Sequence, residues 1–444
     1  MDTLRRDAIQ PYSNTVSTPN IFSFSKDSNV FENAIAPAPW TVPSHASLFT
    51  GLYPSEHGIQ LTEQLDLDTI IDFAKAKLVM SKRDNLAYTL RKAGYMNYAI
   101  TANPYLSPGS GFDEGFDVLT NIDFSAVGFK NEVEDIRKKY GELSFNKVLK
   151  IIRSGGIVDL YRLYSYYKKI YRTLIKNGMP SLKGGDSLVN IVNNSSLESP
   201  FFLFVNTMEM HEPYLKREFR QDMKNPIPPR PALDLHGIKP YKNITLKRIR
   251  AAYYKQAEVS DNLFGKIISR LKSNGLYDDS IIILTSDHGN ALREKNYYGH
   301  GIYLYDEIIN IPLIIKFPKN MKIDIANGYQ TLVRLKDFIE SAIGENIRSD
   351  TLSTPTVFSE EPRNRRLSLP NDFSETDFKI HASRKAVYKS GFKATVNGST
   401  GTLEEFLKNG LPVKPDAYAG VLDDLLNELD IFKGNERFLI PNRR

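Results

Sequence analysis

The sequence predicts an α/β protein. A mainly parallel central sheet is sandwiched by helices, and a small α+β subdomain closes the chain. Three observations carry this reading. The apolar runs in "YMNYAIT", "FFLFV" and "IIIL" are nearly continuous. Such runs suit strands buried on both faces, as in parallel sheets covered by helices. Helical patterns alternate with them: "DNLAYTLRKAG" precedes the first run and "AAYYKQAEVSDNLFGKIISRLKSNG" the third. After about Gly344 the pattern changes to short strands separated by turn residues, so we divide the chain into 1–344 and 345–444.

Taken in order, the first element of interest is "APAPWTVPSHASLFTG", from Ala36 to Gly51. Its prolines forbid regular structure until Pro43, where a helix can begin, and Gly51 can stop it. A stiff loop therefore delivers a residue to a helix N-terminus, where free N–H groups favour an anion. The strands "FFLFV" and "IIIL" then run into the polar clusters "NTMEMHEPY" and "TSDHGN". In parallel sheets, ligands bind beyond the carboxyl ends of the strands. Residues 123–199 read as a helical, basic insertion: from Lys147 to Lys183, nine Lys and Arg face only Asp159. A solvated helix pair explains it, and so does a docking face for a polyanion or a membrane surface. Beyond residue 344, "TPTVFSEE" reads as a strand, "RKAVYKSGFKATVNGSTGTLEEF" as antiparallel strands turning at "NGST", and "GVLDDLLNELDIF" as a final helix.

The bulk numbers narrow the class. In 444 residues, 41% are hydrophobic, 25% are charged, and the net charge is +6. This is a mild preference for anionic partners and not a nucleic-acid signature. Cysteine is absent, which excludes disulfides, zinc–thiolate sites and cysteine nucleophiles. No run approaches the roughly 20 apolar residues of a membrane span. "MDTLRRDAIQ" has no apolar leader core, so the expected location is cytoplasmic or undetermined.

"WTVPSHASLFTGLYPSEHG", "NTMEMHEPY", "TSDHGN" and "GHGIYLYDEIINIPLIIKFP" occur in this order. Together with "DTLRRD", "TPNI", "FENAIAP" and "GFDEGFD", they resemble the sulfatase family of the alkaline-phosphatase superfamily. The resemblance implies a hydrolase or transferase of sulfate or phosphate esters, with glycans and lipid-linked esters among the candidate substrates. It implies a divalent cation (Ca, Mn, Zn or Mg) held by Asp2, Thr41, Asp287 and His288. His211 and His300 fall where the family places groups against the ester oxygens; either imidazole could protonate the leaving group or hold a second metal. Glu209 is an additional ligand candidate, and His45 a support for the nucleophile. His57, His236 and His381 are read as structural.

Two departures from the family pattern matter. The family signature is Cys-x-Pro-x-Arg, with Cys or Ser oxidised to formylglycine. Thr41 stands at that position and His45 replaces the Arg. The extra methyl on the threonine Cβ prevents the same oxidation from giving formylglycine. Thr41 is instead expected to attack directly, as in phosphodiesterase and phosphotransferase branches. Its helix-capping role is the plain alternative, and Ser44 is the second candidate nucleophile. The other departure is that family members carry an apolar strand before the first metal Asp. With Met1 there, Asp2 is expected to be poorly held, the recorded start to be an internal methionine, and a weakly active or inactive anion-binding relic is the alternative function.

Overall fold

The computed structural model describes residues 1–59, 73–81, 84–122, 183–212, 243–324, 326–343, 349–361, 382–434 and 438–441. The basic insertion up to residue 182, its membrane-docking reading, His236 and His381 lie outside these residues. Among the described residues, no helix is long and apolar enough to cross a membrane.

In chain order the main elements begin with α1 (Pro19–Lys26), β1 (Asn29–Ile35), α2 (Thr41–Thr50), β2 (Met96–Thr101) and β3 (Val118–Asn121). They continue with α3 (Gly185–Asn194), β4 (Phe201–Asn206), α4 (Asn243–Ser273), β5 (Ile282–Thr285), β6 (Asn310–Lys316), β7 (Tyr329–Thr331) and β8 (Ser353–Thr354). The last are β9 (Thr356–Glu361), β10 (Arg384–Lys389), β11 (Phe392–Asn397), β12 (Thr402–Lys408), β13 (Leu411–Pro412) and α5 (Ala419–Phe432). The three apolar runs are thus strands β2, β4 and β5.

β3, β2 and β4 form a parallel three-stranded sheet, in that order. A second sheet has the order β8-β7-β1-β6-β5. Within it β1 and β7 are parallel, whereas β6 runs antiparallel to both β1 and β5. The expected parallel character therefore holds for β2–β4 but not for β6. "NIPLIIK" is apolar because both its faces are buried, and burial leaves direction unspecified.

Residues 1 and 2 join the two sheets. The Met1 backbone nitrogen donates to the Thr285 carbonyl at 3.0 Å, and the Asp2 N–H donates to the Thr207 carbonyl at 2.9 Å. They thereby bridge the carboxyl ends of β5 and β4, where the sequence placed its polar clusters. Helices α1 and α4 pack Ile21, Phe24, Tyr253, Phe264 and Ile268 into a core with Leu284 and Ile314. On the other side, Phe49 of α2 meets Phe112, Phe116 and Phe204 edge-on. Aromatic pairs of this geometry add about 0.5–1.5 kcal/mol each beyond their burial, which fixes α2 and therefore Thr41.

The C-terminal strands form an antiparallel sheet in the order β9-β10-β11-β12-β13, with Leu425, Leu426 and Leu429 of α5 packed on it. The β10–β11 hairpin turns through Ser390 and Gly391, both at positive φ, which suits a right-twisted two-residue turn. This sheet is anchored to the rest of the protein by buried polar contacts. Lys393 reaches the Leu304 carbonyl at 2.6 Å and Asp306 at 2.8 Å, and the Tyr388 hydroxyl donates to Asp306 at 2.6 Å.

Candidate active site

α2 begins at Thr41, two residues before the expected Pro43, because a proline is tolerated in the first helical turn; Trp40 is in extended backbone before it and Gly51 closes it at φ 71°. Gly there is required because a left-handed cap strains any residue with a Cβ. Thr41 is the first helical residue. Its Oγ1 lies 3.4 Å from Asp2 Oδ2 and 3.5 Å from His288 Nε2.

Asp287 and His288 follow β5 directly, with Gly289 next. A side chain at Gly289 would collide with the Glu307 carbonyl, so "DHG" needs its glycine for close packing. The first residues are stitched onto this loop. Thr3 N–H donates to Asp287 Oδ1 at 3.2 Å, Leu4 N–H donates to Ser286 Oγ at 2.9 Å, and Ser286 Oγ donates to the Met1 carbonyl at 2.7 Å. Asp2 is fully buried, and its Oδ2 accepts from Asn103 Nδ2 at 2.6 Å. The expectation that Asp2 is poorly held is therefore corrected: backbone and side-chain hydrogen bonds from three loops hold it.

Asp2, Asp287 and His288 each offer one ligand atom, all within 4.8 Å of one another. Asp2 Oδ1 and Asp287 Oδ2 are buried without a hydrogen-bond partner. Buried carboxylate oxygens without partners are costly unless a cation meets them. The set therefore fits the divalent ion on which the family generally depends. Burial, reinforced by the Asp287 charge, raises the pKa of Asp2 against the pull of His211, His288 and His45. Burial also works against Asp287, but His288, His45 and the His288 N–H outweigh it and hold the carboxyl at about 2. Two buried acids this close do not ionise together without a positive partner.

The histidine rings share one arrangement. Nδ1 of His288 donates to the Gly289 carbonyl at 2.8 Å, and Nδ1 of His45 to the Thr41 carbonyl at 2.9 Å. A carbonyl only accepts, so each Nδ1 carries the proton and each Nε2 a lone pair. His45 Nδ1 also lies 3.6 Å from Asp287 Oδ2, and burial lowers the His45 pKa despite that carboxylate. His45 thus touches both the backbone of Thr41 and the Asp287 side chain. His211 and His300 stack edge-on with centroids 5.1 Å apart, and His300 lies 4.6 Å from His288.

Ser44 donates to the Asp287 carbonyl at 2.7 Å, so its hydroxyl ties α2 to the loop after β5. His57 bonds Ser47 Oγ and accepts from Ile59 N–H. Glu209 Oε1 accepts from Gly185 N–H at 3.0 Å, capping the turn before α3. Its Oε2 is buried without a hydrogen-bond partner.

Sequence reasoning missed three neighbours. Asn103 follows β2 as Asp287 follows β5, so the strand-end rule could have found it. Glu212 was hidden beside His211. Lys183 was counted with the basic insertion, and this is corrected: the charges that act on its ammonium are Glu212, Glu209 and Asp2. Burial brings its pKa down to about 8 against those carboxylates. Only folding brings it there, because α3 packs against β2 through Leu188 and Ile100.

In three dimensions the chain is similar to a phosphonate monoester hydrolase from Silicibacter pomeroyi, with a TM-score of 0.65 at 18% identity, covering 97% of this chain and 93% of that one. The two chains share a fold. The family model for sulfatases matches residues 1–344, and the chain belongs to the sulfatase family. An endo-4-O-sulfatase of Bacteroides thetaiotaomicron is 23% identical over 325 residues, 70% of this chain and 59% of that protein. An ulvan-active sulfatase of Formosa agariphila is 25% identical over 353 residues, 76% of this chain and 50% of that protein. The chain thus spans 50–59% of the length of these two relatives.

Proposed function

We propose that this chain is a metal-dependent ester hydrolase or transferase in which Thr41 is the nucleophile and phosphate or phosphonate esters are the preferred substrates. The observation that carries the reading is the position of Thr41 Oγ1, 3.4–3.5 Å from Asp2 and His288 beside two unpartnered carboxylate oxygens. Asp2, Thr41, Asp287 and His288 are the residues that would hold the cation. When bound, it supplies charge for the ester oxygens and lowers the pKa of the hydroxyl.

The protein's own groups supply the rest. Thr41 sits at the start of α2, where the first N–H groups and the helix dipole face the ester oxygens. Its Oγ1 forms a bond to phosphorus as the bond to the leaving oxygen breaks. His211 or His300 gives that oxygen a proton, and water later releases the phosphoryl group from Thr41. His45 positions Thr41 through its carbonyl. Attack by a threonine alkoxide leaves a phosphoester that water can cleave, which favours phosphoryl over sulfuryl transfer. The sulfatases and the phosphonate monoester hydrolase it resembles keep both ester classes in the test.

The test is turnover of p-nitrophenyl phosphate, bis-p-nitrophenyl phosphate and p-nitrophenyl sulfate with Mn²⁺, Zn²⁺, Mg²⁺ and Ca²⁺, in wild type and Thr41→Ala. Phosphoester turnover that disappears in Thr41→Ala is expected. Turnover that survives the substitution overturns the assignment.

A further inference from the structure

We propose that Tyr253 of α4 is a positioning residue for the cation group: its hydroxyl locks Thr3 in a left-handed backbone turn, and that turn sets Asp2 against Asp287. The inference deepens the function proposed above and rests on its Asp2–Asp287–His288 cation site.

The backbone gives the first argument. Thr3 follows Asp2 directly, is fully buried and has a φ of 56°. A β-branched residue in this region is a steric outlier, and such strain persists only where the surroundings impose it. The side chain does not explain it, because Thr3 Oγ1 is buried without a hydrogen-bond partner. The φ of Thr3 sets how the Asp2–Thr3 peptide is turned relative to the chain that follows. That peptide carries the N–H that donates to Asp287 Oδ1 at 3.2 Å. One strained angle therefore bears on both carboxylates.

Tyr253 gives the second argument. Its hydroxyl donates to the Thr3 carbonyl at 2.9 Å and accepts from the Arg5 N–H at 2.8 Å. One oxygen thus closes the turn from residue 3 to residue 5. The ring is fully buried in a core that also holds Leu4, Ile9, Ile249 and Ile314, so it is a fixed anchor. Before the turn, the Met1 and Asp2 nitrogens are bonded to Thr285 and Thr207. Tyr253 supplies the hold after it. Without the hydroxyl, the Thr3 carbonyl and the Arg5 N–H lose this partner. The turn can then relax to negative φ, which rotates the Thr3 N–H away from Asp287.

The experiment measures Zn²⁺ affinity of the chelator-stripped full chain by calorimetry, with circular dichroism as the check on folding. The forms are wild type, Tyr253→Phe, Thr3→Gly, the double variant and Asp287→Asn. Glycine takes positive φ without strain, so it removes the need for the lock. Tyr253→Phe is expected to weaken binding by about 10–100-fold, the range for residues that orient metal ligands. In the Thr3→Gly chain the same substitution is expected to cost about 5–30-fold less, the factor that matches the left-handed penalty of an ordinary residue. An equal loss in both backgrounds would overturn the lock, because a tyrosine acting only through packing is not relieved by Thr3→Gly. Binding that survives Tyr253→Phe unchanged but is lost in Asp287→Asn would overturn this inference and leave the cation site standing. A wild type that binds no Zn²⁺ would overturn the cation site instead. The lock is then read from the φ of Thr3 in a crystal structure of Tyr253→Phe: a negative value is expected, and a retained positive value overturns it.

Discussion

Asn103→Leu isolates what a single neutral side chain does for the Asp2–Asp287–His288 group. Asn103 Nδ2 gives Asp2 Oδ2 a 2.6 Å hydrogen bond, and both residues are buried. Hydrogen bonds to charged groups contribute about 1.5–3 kcal/mol. One pKa unit corresponds to about 1.36 kcal/mol, so losing this bond should raise the already elevated pKa of Asp2 by about 1–2 units. Cation binding requires the ionised carboxyl and releases its proton. The pH at which the stripped protein loads Zn²⁺ should therefore move up by about 1–2 units, and affinity near neutral pH should fall about 10–100-fold, as outer-shell substitutions do. The substitution also removes the acceptor for Tyr105 N–H at 2.8 Å, so stability falls separately and is a poor readout. The pH midpoint of loading is the readout to use. A midpoint that stays within a few tenths of a unit would show that the Asn103 bond does not hold Asp2 ionised.

Stability of the stripped protein should fall as pH rises from about 4. The folded pKa of Asp2 is raised, so the folded state binds more protons than the unfolded chain above the ordinary carboxylate value, and that advantage is lost as Asp2 ionises. Asp287, held at about 2, completes its stabilising contribution below that window. Melting temperatures of stripped and loaded protein should therefore diverge as pH rises above the ordinary carboxylate range; parallel curves would contradict this. Ser44→Ala should cost about 1–3 kcal/mol in urea unfolding by leaving the Asp287 carbonyl without its donor. Its turnover should stay within a few-fold of wild type, whereas full stability with abolished turnover would instead make Ser44 the nucleophile. His45→Ala should lower kcat more than it changes KM, since the ring touches Thr41 and Asp287 and not the ester; a change confined to KM would contradict the positioning role.

The residues at strand ends were legible in the sequence because periodicity and burial make the strands visible, and the chemistry of a parallel sheet lies at their carboxyl ends. Asp287 and His288 follow from "IIIL" in this way; the proline-rich loop showed that a residue is delivered to a helix N-terminus, and the family resemblance named it as Thr41. What stayed hidden was set by long-range packing. The direction of β6 is invisible because continuous apolarity reports only burial. Asp2 is held by Thr207 and Asn103, contacts that no local pattern encodes. Lys183 looked like one more member of a basic run until α3 placed it beside Glu209 and Glu212.

The central claim is that Thr41 attacks the ester. Its most direct test is an acid quench of the full chain during turnover of a phosphate diester, followed by peptide mass analysis. One added ester-bearing phosphoryl group, the diester less its leaving alcohol, is expected on the peptide containing Thr41 and is absent in Thr41→Ala. Turnover at an undiminished rate in Thr41→Ala, or a phosphoryl group on Ser44 instead, would contradict it.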